Sequence, residues 1–321
     1  VTGADGFIGS HLTELLVHSG YDVRALCIYN SQSNFGWLEN SLVLSDVDCV
    51  LGDIRDPEFS RVLMKDIDVV FNLAALIAIP YSFIAPRSYF DTNLSGCVNL
   101  LHAALEANVE RFVQMSTSEV YGTAQYVPMD ELHPVNAQSP YAASKIASDF
   151  AALSYQKSFD LPVIVARPFN TFGPRQSARA VIPSIIVQCL TGNENLHLGN
   201  LNPTRDFNFV LDTCENLERL SRVEKAVGEI VNIGSGTEHS IQNLLEIIGR
   251  LLDADLIPFR DENRIRPNNS EVERLVCANQ KFQSLVGDPK STPLEEGLLQ
   301  TIDWFRLDKH IQRYKSDIYN V

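Results

Sequence analysis

Gly3-Ala4-Asp5-Gly6-Phe7-Ile8-Gly9 confines the start of this chain to very few folds. Glycines at that spacing, placed just before the amphipathic pattern Gly9–Ser19, describe a strand that turns tightly into a helix. The first permits the turn, the second leaves backbone N–H groups open, and the third lets helix and strand approach closely. The reading is a pyrophosphate at a helix N-terminus, with Gly3, Gly6, Phe7, Ile8 and Gly9 around it. Only Val1 and Thr2 stand before the loop, so further residues of the feeding strand are expected ahead of this numbering.

Beyond the loop, short β-branched runs alternate with helical patterns. Strands are expected at Tyr21–Ile28, Val47–Leu51, Val69–Leu73, Arg111–Ser116 and Val163–Arg167. Helices are expected at Gly9–Ser19, Pro57–Lys65 and Asp91–Ala107, with Gly20 and Asn108 at C-caps. That alternation predicts an α/β fold, a Rossmann-type doubly wound parallel sheet. Beyond Arg167 the rhythm breaks into turns at Phe172–Pro174, Thr191–Asn195 and Gly199–Pro203. Helical patterns return at Ser240–Leu252 and Pro293–Phe305. Residues 1–175 with about 206–238 are read as a dinucleotide-binding domain. Residues 176–205 with 239–321 are read as a smaller mixed α/β lobe for substrate.

Composition narrows the partners. The net charge of −14, with no basic block, argues against nucleic acid and against an anionic membrane surface. An anionic small substrate then needs a few arginines gathered locally. The longest apolar stretch, Val69 to Ile79, is too short to span a bilayer. Six scattered cysteines without metal-like spacing predict free thiols, no metal site and a reducing, cytoplasmic setting.

The chemistry is carried by Ser116-Thr117-Ser118-Glu119-Val120-Tyr121-Gly122 and, about twenty residues on, Tyr141-Ala142-Ala143-Ser144-Lys145. Tyr141 and Lys145, four apart, share one helix face. An ammonium beside a phenol favours phenolate, a base able to take a proton from a sugar hydroxyl. Lowering a phenol from about 10 to about 7 takes roughly 4 kcal/mol. Glu119, two residues after Thr117 at a strand end, adds a second acid/base. Singly, a Thr-x-Glu is more often a helix-entry cap, and a Tyr and a Lys four apart more often packing and a solvated charge. Their co-occurrence behind a glycine loop favours catalysis.

With the glycine loop, Asn72-Leu73-Ala74-Ala75, Ser116–Gly122 and Tyr141-x-x-x-Lys145 in order, the chain resembles the extended short-chain dehydrogenase/reductases from end to end. Three segments bring it nearest to NAD-dependent nucleotide-sugar 4,6-dehydratases of legionaminic-acid biosynthesis. They are Ala75-Leu76-Ile77-Ala78-Ile79-Pro80-Tyr81-Ser82, Ser139–Lys145 and Arg167–Ala180. The resemblance implies C4 oxidation with Tyr141 and Thr117 taking the hydroxyl proton, Glu119 taking the C5 proton, and loss of water from C6. Ser118 stands where many dehydratases carry Asp, which leaves Glu119 to act as both base and acid. The implied cofactor contacts include Asn30, Asp53, Ile54, Leu73, Ala74, Ala75, Asn93, Tyr141, Lys145 and Pro168. The implied substrate contacts are Ser82, Thr117, Asn170, Arg179, Arg205, Arg266 and Glu271. A homodimer and a UDP- or GDP-N-acetylglucosamine substrate are implied as well.

Two points stay open at this level. The second strand ends in Ile28 and Tyr29 rather than in the acidic residue that usually holds the adenosine ribose. Asn30 or Ser31 is left to substitute; no Arg is present for a 2′-phosphate, so NAD is favoured and NADP stays open. The reaction also has rivals. A uronate decarboxylase typically has Asp-Glu-Gly where this chain has Ala142-Ala143-Ser144, and an epimerase a small residue at Glu119. A non-catalytic relative would often lack the Tyr or the Lys.

Overall fold

The computed structural model describes residues 1–192 and 195–315. Its centre is a parallel sheet. Strands β1 (Val23–Ile28) and β2 (Val47–Gly52) pair with Val23 opposite Val47. Strands β3 (Val69–Asn72), β4 (Arg111–Met115) and β5 (Val163–Pro168) run in order, with Ile230–Ile233 beside β5. Thr2 joins the two halves by parallel bridges to Leu26 on one side and Asn72 on the other. The order therefore reverses at Thr2, directly beneath the glycine loop, where doubly wound sheets bind ligands.

Helices cover both faces. On one, Leu63, Leu100, Phe112, Ala152 and Val163 share a core. On the other, Leu12, Leu16, Val113, Ile164 and Leu217 belong to a core that continues into Ile185, Leu244, Ile248, Leu298 and Ile302. That continuity ties the sheet to the irregular C-terminal half. There Asn170–Phe172 pairs with Phe207–Phe209, and Asn195–Leu198 pairs with Ile257–Arg260, both in parallel. Trp304, on the Leu294–Phe305 helix, packs edge-on against Trp37 at 5.4 Å.

Element ends follow their capping residues. Ser139 accepts from the Ala142 N–H at 3.1 Å and Pro140 occupies the first turn, which fixes the start of the Pro140–Phe159 helix. Ser240 caps Ile241–Leu252 through the Asn243 N–H. Asn108 ends Gly96–Ala107 in the left-handed conformation, φ 54°. The helix expected from Asp91 instead starts earlier, with a turn at Pro86–Tyr89 that runs through a π-turn over Phe90–Ser95 into Gly96–Ala107. Phe172 lies in a strand and not in a turn. The turn expected at Thr191–Asn195 includes residues 193 and 194, which lie outside the described residues.

The third glycine of the loop is closely packed against the backbone of the first. A Cβ on Gly9 would fall 2.1 Å from the Gly3 carbonyl oxygen. Gly9→Ala is therefore expected to destabilise the protein by about 1–3 kcal/mol, read as a lower denaturant midpoint at unchanged slope.

Candidate active site

The loops at the C-terminal ends of the strands converge above Thr2. Its hydroxyl donates to Asn72 Oδ1 at 2.8 Å and accepts from the Leu73 and Ala74 N–H groups, each at 3.0 Å. Asn72 Nδ2 passes the connection on to Gln114 Oε1 at 2.8 Å. These side chains are buried, so the glycine loop, the Leu73–Ala75 segment and the end of β4 are held in register by one polar ladder. Gly3, with φ 66°, approaches so closely that a Cβ would lie 3.0 Å from Ala74 N and Cα.

β4 ends at Met115 and delivers Ser116 and Thr117 into a short 3-10 turn, Ser118–Tyr121. Thr117 Oγ1 accepts from the Glu119 N–H at 3.2 Å, so the threonine does act as a cap. It also hydrogen-bonds the Tyr141 phenol, which opposes the strong upward push of burial on that phenol; the Glu119 carboxylate adds to the push. Three of the residues expected to be catalytic, Thr117, Glu119 and Tyr141, are thus gathered in one place. Ser118 is buried beside them. The Tyr141 ring packs edge-on against Tyr89 at 6.3 Å, in an apolar cluster with Ile79 and the flanking Leu76 and Phe83.

Lys145 departs from expectation. Its Nζ donates to the Met115 carbonyl at 2.5 Å instead of to the phenol. Burial lowers its pKa, and Asp149 raises it. Asp149 is itself fully buried, accepting from Ser116 Oγ at 2.7 Å and from Arg167 Nε at 3.0 Å. Arg167 in turn lies over the Tyr121 ring, 4.9 Å from its centre. This buried Lys–Asp–Arg assembly braces the strand end behind Tyr141; nothing in the motif spacing marked Asp149.

Glu119 sits among the arginines of the C-terminal half. Arg266 Nη1 stands 3.5 Å from Glu119 Oε2. Burial lowers the pKa of Arg205; Glu119 raises it, Arg266 lowers it and Glu271 raises it, so all four groups lie within electrostatic reach. Arg205 Nη2 is 3.9 Å from Glu271 Oε1. The expected substrate residues Arg205, Arg266 and Glu271 are therefore brought to the Glu119 carboxylate. Asn170, just past the end of β5, keeps a buried Oδ1 with no partner, a polar atom waiting for a donor.

Other expected contacts are engaged elsewhere. Ser82 is fully buried and its hydroxyl donates to the Ile79 carbonyl at 2.6 Å, so it does not face a ligand. Asn30 spends its carboxamide on its own loop, donating to the Ile28 and Asn34 carbonyls and accepting from the Gln32 and Asn34 N–H groups. Asn93, in the π-turn, clamps Leu76 through both its N–H and C=O and donates to Ser144 Oγ at 2.9 Å. It positions the segment after Ala75. Arg179 is exposed, with Nε on Ser177 Oγ at 3.1 Å. Ile54 is packed under Gly96 while its carbonyl accepts from Asn99. Asp53 pairs with Arg55, which lowers its pKa. Pro168 closes β5, buried beside Ile233.

The arrangement fits a dinucleotide: a glycine cradle that a Cβ would fill, half-buried Leu73, Ala74 and Ala75 facing it, and Tyr141 and Asn170 beyond. Among the described residues, no three His, Cys, Asp or Glu side chains gather as a metal site, and no helix is long and apolar enough to cross a membrane. The six cysteines are free thiols.

Comparison with known proteins agrees with this geometry. The family described as GDP-mannose 4,6 dehydratase matches residues 1–301. The chain belongs to that family. It is thereby an extended short-chain dehydrogenase/reductase whose relatives are nucleotide-sugar dehydratases and epimerases. It is 33% identical to a dTDP-glucose 4,6-dehydratase of Streptomyces antibioticus, over 95% of this chain and 91% of that one. The dTDP-glucose 4,6-dehydratase DesIV of Streptomyces venezuelae, solved with NAD bound, superposes with a TM-score of 0.85 at 27% identity, covering 98% of each chain. Epimerase Mth375 of Methanothermobacter thermautotrophicus gives a TM-score of 0.87 at 30% identity, over 97% of this chain and 93% of that one.

Proposed function

We propose that the protein is an NAD-dependent nucleotide-sugar 4,6-dehydratase acting on a UDP- or GDP-linked N-acetylglucosamine. The observation that carries the reading is the buried Glu119 carboxylate beside Thr117 and Tyr141, because a 4-epimerase moves no C5 proton and needs no such group. Dinucleotide is assigned to residues 1–175 and about 206–238, and sugar nucleotide to 176–205 and 239–321. The working unit is a cytoplasmic homodimer. The 4-keto-6-deoxy product is of the kind that legionaminic-acid biosynthesis consumes.

Within this reading NAD, held by the glycine loop and the Leu73–Ala75 segment, would supply the hydride-transfer chemistry that links C4 oxidation to C6 reduction. Tyr141, hydrogen-bonded to Thr117, receives the C4 hydroxyl proton. The C4 ketone acidifies C5–H; Glu119 takes that proton and hands it to the departing C6 hydroxyl, which leaves as water. When C6 is reduced, C5 regains a proton from solvent through Glu119 while Tyr141 releases its own to solvent. Arg205 and Arg266 neutralise the diphosphate beside Glu119. Asn170, with its unpartnered Oδ1, orients the substrate.

The test is incubation with a panel of UDP- and GDP-sugars in deuterated water, read by mass spectrometry and NMR. Loss of one water with deuterium at C5 is expected from an N-acetylglucosamine nucleotide. The likeness to Mth375 sustains 4-epimerisation as a second reading. Inversion at C4 without solvent label would establish it in place of dehydration, and loss of carbon dioxide from a uronate would make the protein a decarboxylase.

A further inference from the structure

In sheets of this kind an acidic residue at the C-terminal end of the strand after the first helix takes the adenosine ribose hydroxyls. Here that strand is β1, which ends in Ile28 followed by Tyr29, and the Asn30 carboxamide is already engaged, both donors and acceptor, within its own loop. A carboxylate is nevertheless present at that strand end. Asp5, from the glycine loop, places Oδ2 3.4 Å from the Ile28 N–H.

Its backbone is pinned there from the other side. The Trp37 N–H donates to the Asp5 carbonyl at 3.1 Å. Gly36, with φ 62°, passes so close that a Cβ would lie 2.4 Å from that same oxygen. Asp5 is half-buried, and among the described residues it makes no ion pair with Lys, Arg or His. Burial raises the pKa of its carboxyl group and the Ile28 N–H opposes the rise. Ile28 and Tyr29 are 53% and 72% exposed, so no side chain from the strand end covers the approach.

We infer that Asp5 is the cofactor-selecting residue: its carboxylate accepts the adenosine ribose hydroxyls and repels a 2′-phosphate. The inference rests on the dinucleotide reading above and deepens it. An uncompensated carboxylate facing a doubly charged phosphate is a repulsive element against NADP, while two hydroxyls give it hydrogen bonds it otherwise lacks. The usual place in the sequence is empty because the charge has moved into the glycine loop, and the fold brings it back to the same point in space.

Binding decides the matter without turnover. NAD and NADP are titrated against the purified protein, followed by quenching of tryptophan emission, since Trp37 adjoins Asp5. The variants are Asp5→Ser and Asp5→Asn, the second of which keeps size and removes only charge. The wild type is expected to prefer NAD. Both variants are expected to weaken NAD and strengthen NADP, narrowing the preference by about 10- to 100-fold. Folded variants with an unchanged preference overturn the role of Asp5 and leave the cofactor reading standing. A wild-type protein that binds neither dinucleotide overturns both.

Discussion

Glu119→Gln is expected to slow water loss by about 10²- to 10⁴-fold while leaving C4 oxidation intact. The carboxamide has nearly the shape of the carboxylate, but it cannot accept the C5 proton or deliver one to the leaving hydroxyl. Tyr141 and Thr117, to which the proposed mechanism assigns the first step, keep their contact with each other. Substrate addition should therefore produce a rise in the near-ultraviolet absorbance of reduced nicotinamide that persists, because hydride return to C6 waits for elimination. Mass spectrometry should find the C4 ketone with its water retained. The substitution also leaves Arg266, 3.5 Å from the former carboxylate, and the buried Arg205 with one less negative neighbour. A modest drop in melting temperature is expected from that and should be reversed by bound sugar nucleotide, whose diphosphate replaces the lost charge. Dehydration at the wild-type rate would remove Glu119 from the mechanism.

Much of this site could be read from the chain, and the reasons differ residue by residue. Gly3, Gly6 and Gly9 were legible because their constraint is backbone geometry, which needs no knowledge of distant partners. Ser139-Pro140 announced the helix that carries Tyr141 for the same local reason. Thr117, Glu119 and Tyr141 come together because a strand end and a helix start are adjacent in this sheet order. Ser82 and Asn30 misled, since short polar side chains also satisfy neighbouring backbone groups: Ser82 bonds three residues back and Asn30 two to four residues on. Spacing alone cannot tell those uses from ligand binding. The partners of Lys145 were illegible for a different reason. Asp149 lies one helical turn along, where a carboxylate ordinarily reads as a solvated i,i+4 charge. Only β5, bringing Arg167 against it, turns that position into a buried charge centre. The ladder Thr2–Asn72–Gln114 joins the N-terminal segment to two separate strands and has no local signature at all.

The Tyr141 phenol supplies the sharpest test of the first step. Burial raises its pKa above the ordinary phenol range, the Thr117 hydroxyl opposes this, and the nearby Glu119 carboxylate reinforces it. Lys145, turned to the Met115 carbonyl, does not hydrogen-bond it in this structure. The base form is the phenolate, so a raised pKa makes it the minor species at neutral pH. Its fraction, and with it kcat/KM, should rise about tenfold per pH unit until the pH passes the phenol's own pKa. Tyr141→Phe is expected to cut kcat by about 10²- to 10⁴-fold and to abolish that rising limb. Affinity for the sugar nucleotide should change little, because Asn170, Arg205 and Arg266 are untouched. Stability should fall by about 1 kcal/mol or less, since the ring contact with Tyr89 survives and only one hydrogen bond is lost. Loss of rate with retained stability and affinity separates a proton acceptor from a packing residue. A rising limb that persists in Tyr141→Phe would move the base to another group and leave the phenol as part of the apolar wall formed with Ile79 and Tyr89.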